Sequence, residues 1–181
     1  MATAFAPGKC ILFGEHAVVY GHPAVAVAID AGVEVKLEVS KKWEIKNDHY
    51  GNYFEEFKPS KNPHIQHIIR DIFDYTGPPL KINIESNLFS SAGLGSSAAL
   101  SNAMGAALHH LTKPEKEIDL VKLAKIGHSA EANAQSGRAS PTDSATSSLG
   151  GCVVVTGEKN KDLKHVCLLY TSPSPRDHPR S

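Results

Sequence analysis

The period of the hydrophobic residues changes along this chain, and that change limits the folds open to it. Val33, Val35, Leu37 and Val39 alternate with Glu34, Lys36 and Glu38, which is the two-residue period of a strand buried on one face and wet on the other. Residues 81–85 alternate in the same way. Ile65, Ile68, Ile69, Ile72 and Phe73 instead follow helical spacing after Pro63, with Gly77-Pro78-Pro79 expected to end that helix. Residues 10–13 and 152–156 are short apolar runs of the buried-strand type. An alanine-rich helix is predicted over 97–111 and a second over 115–135, with Leu120, Leu123, Ile126 and Ala130 near one stripe. Strands, a helix, a strand, two helices and a strand, in that order, predict a mixed α+β domain.

Composition narrows the function classes. The 181 residues suit one domain, 19 Lys and Arg balance 19 Asp and Glu, and 41% of residues are hydrophobic. A chain with no net charge lacks the broad positive field that nucleic acid or anionic lipid requires. Cys10, Cys152 and Cys167 are odd in number, widely spaced and without a CxxC, so neither a disulfide framework nor a zinc site is expected. The N-terminus lacks the charged and apolar regions of a signal peptide, and the longest aliphatic run, 24–29, falls far short of the ~18 residues of a membrane span. The expectation is a soluble cytoplasmic protein with no nucleic-acid or membrane partner.

The chemistry begins at Ser90-Ser91-Ala92-Gly93-Leu94-Gly95-Ser96-Ser97-Ala98, between a strand and the alanine-rich helix. Two glycines permit positive φ and close backbone approach. The first four N–H groups of the following helix lack internal partners and carry the positive end of its dipole. A polyphosphate can bind there through main-chain donors, and Ser96 or Ser97 can offer a hydroxyl to Mg2+. One serine would suffice for a mere helix cap. A Walker A loop is excluded because no lysine follows Gly95. The string Gly93-x-Gly95-x-x-Ala98 matches the loose dinucleotide fingerprint, but residues 87–92 separate it from the strand, and the acids downstream, Glu115 and Glu117, open a helix instead.

Two further clusters stand out. Pro7-Gly8-Lys9 and Gly14-Glu15-His16 flank the first apolar run, and residues 136–151, containing Asp143, are small and polar throughout. Taken alone, Asp143 could form an Asx turn or cap a helix, and Glu131 would be ordinary helix surface. Together, however, the stretches 6–24 (APGKCILFGEHAVVYGHPA), 91–98 (SAGLGSSA) and 139–143 (ASPTD) with Gly150-Gly151 resemble the mevalonate kinases of the GHMP small-molecule kinase superfamily, the last most similar to the archaeal type. Galactokinases differ after the GEH triplet, and homoserine kinases lack the lysine and aspartate.

The resemblance implies an ATP-dependent kinase that phosphorylates the 5-hydroxyl of mevalonate, using ATP and Mg2+. Ser91, Ala92, Gly93, Leu94, Gly95, Ser96 and Ser97 would wrap the ATP phosphates, with Ser97 and Glu131 on the metal. Asp143 would sit beside the acceptor hydroxyl, with Lys9 between it and the transferring phosphoryl group. Glu15 and His16 would shape the substrate end. Between Glu131 and Asp143 the chain is one residue longer than the archaeal pattern. The implied fold is the N-terminal domain of the GHMP kinases, a ribosomal-protein-like β-α-β arrangement, with the C-terminal domain missing and a homodimer possible for the full-length protein. Other superfamily kinases, acting on phosphomevalonate or a sugar, and a non-catalytic nucleotide-binding module are the alternatives. Residues 1–166 are expected to form the truncated domain. Residues 167–181 resemble the conceptual translation of a sequencing adapter and are expected to be a disordered, non-native tail. Without the second half, weak or no turnover is expected.

Overall fold

The computed structural model describes residues 1–20, 22–48, 51–89, 92–137 and 139–155, together with the backbone of 166–170. Its frame is a mixed sheet built on the long strand β2 (Ala24–Val39). Strand β1 (Ala2–Phe13) runs antiparallel along one edge of β2, from Ala2 opposite Leu37 to Phe13 opposite Val25. The other edge of β2 is shared end to end: β6 (Cys152–Val155) pairs with Ala24–Val27, and β5 (Leu80–Ser86) with Val33–Val39. Strand β3 (Glu44–Asn47) lies parallel to β5, and the two-residue β4 (Glu55–Glu56) closes that side.

One face of the sheet is covered and the other is wet. Val33, Val35, Leu37, Ile82 and Ile84 are buried, while on the opposite face Lys36 bridges Glu34 and Glu85 at 2.9 and 3.2 Å. Val39, expected on the buried face, is exposed at the strand's end. The covering layer consists of α1 (Pro63–His67), α2 (Ser96–Thr112), α3 (Leu120–Ala134) and α4 (Pro141–Leu149). Ten of the eleven residues of α2 from Ala98 to Leu108, all but Leu100, are buried, so α2 is the central helix of this layer. Small side chains let three helices approach it closely.

The α+β expectation holds, with corrections in detail. The helix predicted over 65–73 is the short α1 continued by a π-helical turn, Ile68–Ile72, in which Phe73 N–H reaches back to Ile68 O. Asp74, at positive φ, ends it before the Gly-Pro-Pro sequence is reached. The helix expected to begin at Glu115 starts only at Leu120, because the Asp119 carboxylate accepts the Val121 and Lys122 N–H groups and caps it there. Leu120, in the first turn, is exposed. The polar stretch around residue 140 contains α4, started by an extended Ser140 and Pro141. Residues 167–170, expected to be without structure, belong to β7 (Val166–Tyr170), whose backbone pairs with β6 and completes hydrogen bonds that an edge would leave open. Residues 171–181 lie outside the described residues.

Candidate active site

The site is assembled where β1, the loop before α2, α3 and α4 meet. Regular pairing of β1 with β2 shifts between Pro7 and Lys9. At such an irregularity a strand can re-aim a side chain. Lys9 N–H donates to Leu94 O at 2.8 Å, which ties β1 to the glycine–serine loop. The Lys9 side chain then runs against Gly95: a Cβ at Gly95 would stand 2.9 Å from Lys9 Cγ. Gly95 has φ 72° and is the N-cap of α2 without a side-chain cap. The leading N–H groups of α2 therefore have no side-chain cap from Gly95, beside a buried lysine.

Lys9 Nζ stands 3.2 Å from Asp143 Oδ1. Asp143 lies in the first turn of α4, where the helix dipole favours a carboxylate. Although ion-paired, Oδ1 is buried and accepts no directed hydrogen bond from a described residue. Glu131, near the end of α3, faces the same space and is 5% exposed. Ser144 Oγ donates to its Oε2 at 2.9 Å, and the Ser97 hydroxyl lies near the carboxylate. Burial pushes Glu131 above the usual carboxylate range, and those two hydroxyls only partly offset it. Asn102 Nδ2 holds the Ser144 carbonyl at 2.9 Å, anchoring α4 to α2.

The fold thus brings together Lys9, Gly95, Ser97, Glu131 and Asp143. Glu131 is a buried member of the cluster and not the solvated helix surface its type suggests, whatever the spacing to Asp143. Gly93 and Ala92 are exposed on the loop with Ser96, and Leu94 supplies the carbonyl that fastens it. Ser91 lies outside the described residues. Glu15 and His16 are exposed in the turn after β1 and make no hydrogen bond or ion pair with a described residue. Sequence reasoning missed Ser144, Asn102 and His64, whose Nε2 is 3.1 Å from Ser97 Oγ. Only the i+1 position of Ser144 beside Asp143 could have hinted at any of them. A cavity of about 720 Å3 lies elsewhere, between Trp43, Phe57 and Arg70, and holds none of these groups.

A two-layer domain that opens a glycine–serine helix terminus onto a buried lysine–aspartate pair has the organisation of half of a small-molecule kinase. Residues 63–151 match the model of the GHMP kinases N terminal domain, and the chain belongs to that family, carrying its N-terminal domain. It is 35% identical over 167 residues to mevalonate kinase of Methanothermobacter thermautotrophicus, covering 87% of this chain and 51% of that one. The crystal structure of the Methanococcus jannaschii mevalonate kinase superposes with a TM-score of 0.72 at 30% identity, covering 88% of this chain and 56% of the other. Streptococcus pneumoniae phosphomevalonate kinase, in complex with phosphomevalonate and AMPPNP, shares the fold with a TM-score of 0.73 at 20% identity, over 87% of this chain and 50% of its own. The chain spans about half the length of the curated relatives it matches.

Proposed function

We propose that this domain is the nucleotide-binding and catalytic half of an ATP:mevalonate 5-phosphotransferase. The observation that carries the reading is the 3.2 Å Lys9–Asp143 pair lying against Gly95 of the anion-binding loop. Pure nucleotide binding needs neither the buried lysine nor the aspartate. In this reading the loop 91–97 and the first N–H groups of α2 hold the triphosphate. Asp143 receives the acceptor hydroxyl. The hydroxyl oxygen bonds to the γ-phosphorus, the bond to the ADP oxygen breaks, and the hydroxyl proton passes to Asp143. Transfer of this kind has a loose transition state, so positioning and charge neutralisation dominate. The Lys9 ammonium supplies positive charge beside the transferring group, and Glu15 and His16 border the acceptor.

The donor set fits a hard divalent cation. Ser97 and Glu131 offer two oxygens, too few for a closed protein cage but suited to Mg2+, which keeps water and phosphate ligands. No group of three or more His, Cys, Asp or Glu that could hold a metal occurs among the described residues. Bound there, Mg2+ would neutralise phosphate charge. A cytoplasmic location and a homodimer of the longer protein belong to the same reading. Free Cys10 and Cys152 are compatible with a reducing compartment, and no helix among the described residues is long and apolar enough to cross a membrane.

ADP release from ATP tests the reading, with mevalonate, phosphomevalonate and galactose offered separately. The 181-residue chain should turn over slowly, because a site open on one side is wet and poorly preorganised. Exchanged for the matching half of the Methanothermobacter enzyme, the domain should support mevalonate-dependent turnover in the ordinary ~1–100 s⁻¹ range. Asp143→Asn in that chimera should lower kcat by ~10²–10⁴ with little change in ATP binding. A preference for another acceptor would reassign the substrate, and near-normal turnover of the Asn variant would remove Asp143 from its role.

A further inference from the structure

On the outer side of α3, three side chains stand in the order nucleophile, base and carboxylate. Ser129 Oγ lies 3.0 Å from His67 Nε2, and His67 Nδ1 lies 2.6 Å from Asp71 Oδ2. A carboxylate accepts, so the hydrogen between His67 and Asp71 is on Nδ1. The neutral ring carries no second N–H, and Nε2 then accepts the hydrogen of the Ser129 hydroxyl. A base beside the hydroxyl and a third group orienting that base are what an activated nucleophile requires. The His67 ring is largely buried, while Ser129 and the Asp71 carboxylate are exposed, so a reagent can reach the hydroxyl from solvent. Glu131, two residues further along α3, is buried. Two residues turn a helix by about 200°, so the two groups face opposite ways and this constellation is separate from the lysine–aspartate site.

We propose that Ser129 is an acylation site that takes one acyl group from activated esters, thioesters among them, with His67 as its general base and Asp71 holding the ring. His67 ends α1, Asp71 lies in the π-helical turn that continues it, and Ser129 comes from α3, 62 positions beyond His67. Such π turns are rare and are found frequently at functional sites. In the step, Ser129 Oγ bonds to the carbonyl carbon, its hydrogen passes to His67 Nε2, and the alkoxide or thiolate of the donor leaves with that proton. The reverse half of a hydrolase cycle is not provided for. Ser129 is inside a helix, so the main-chain N–H groups around it are spent on preceding carbonyls and no free pair faces the carbonyl oxygen. The serine ester also has a far poorer leaving group than the donor that formed it. The ester therefore accumulates, and Ser129 accepts one group without turning over.

Acetylation of the unsubstituted 181-residue chain by 4-nitrophenyl acetate tests this, with the label located by peptide mass spectrometry and 4-nitrophenolate release followed by absorbance. Ser60, exposed in the turn Pro59–Lys61, is the reference within the same molecule, so the first comparison needs no variant. Ser129 should be acetylated about 10²-fold faster than Ser60, the lower end of general-base catalysis, and should keep the acetyl group once the reagent is removed. His67→Gln removes the base and should bring Ser129 down to the Ser60 rate. Asp71→Asn should do the same, because its amide donates to Nδ1 and leaves an N–H turned toward Ser129. Equal rates at Ser129 and Ser60 in the parent chain overturn the proposal. So does an unchanged Ser129 rate in His67→Gln, or continued 4-nitrophenolate release with no acetyl group kept on Ser129.

Discussion

At the scale of single residues, the site is defined by side chains that burial would ordinarily exclude. Lys9 and Glu131 are buried, and both are held by specific partners. Gly95 and Gly93 have nearly the same backbone, φ 72° and 69°, but a Cβ at Gly95 meets Lys9 whereas one at Gly93 meets nothing within 4 Å. Alanine at either position should cost about 1–3 kcal/mol for its left-handed backbone. Gly95→Ala should cost more than Gly93→Ala in chemical denaturation, because only it displaces the Lys9 stem. Equal losses would show that Lys9 yields freely. Glu131 supplies a pH test. Its folded pKa is raised by burial, so its contribution to stability is intact below the ordinary value near 4.5 and is lost as pH rises through the raised folded value. Glu131→Gln should therefore raise the melting temperature at neutral pH, with the gain vanishing in acid. A constant gain at every pH would exclude a titrating Glu131 as its source. Lys9, Asp143 and the loop were legible in the sequence because motif spacing carries them. Ser144, Asn102 and His64 were not, since their roles depend on partners 13, 42 and 33 positions away.

At the scale of elements, α2 acts as the hub and its packing leaves little slack. A Cβ at Gly127 of α3 would lie 2.2 Å from Asn102 Oδ1, the side chain that fastens α4 through the Ser144 carbonyl. Alanine gains helix propensity there, but overpacking and a broken buried hydrogen bond outweigh it. Gly127→Ala should lower unfolding free energy by roughly 1–3 kcal/mol, read from the denaturant midpoint. In an Asn102→Ser background the same change should be close to neutral, a coupling that a purely local helix effect would not show. The well-patterned elements were legible: β5, α2 and the wet and buried faces of β2 follow directly from their periods. The 12 residues of β1 were only partly so, because Thr, Ala and Pro at its start carry little strand signal and pairing along the whole edge of β2 supplies the order. Helix α4 was not legible because Thr142, Ser144, Thr146 and Ser147 look like surface residues. They are buried, with Thr146 Oγ1 bonding back to Thr142 O and Ser144 to Glu131.

At the scale of the whole molecule, the described surface includes aromatic side chains that water would be expected to drive inward: Phe13 is 71% exposed, Tyr20 81% and Phe89 80%. All three flank the segments that supply the site. The chain should associate with itself as concentration rises in sedimentation velocity, and added salt should not dissolve the association, since apolar contact is not screened. Phe13→Ser with Phe89→Ser should restore a monomer. A parent chain that stays monomeric at high concentration would show that these rings do not form a sticky surface. Sequence alone determined the α+β class and singled out the glycine–serine loop, Lys9 and Asp143 as candidates, because each is written in local period or motif. Tertiary structure alone decided that Lys9 passes under Gly95 to reach Asp143, that Glu131 is buried between two hydroxyls, and that a polar stretch becomes a helix. Those outcomes depend on desolvation and on partners far away in the chain, and no local pattern of residues encodes either.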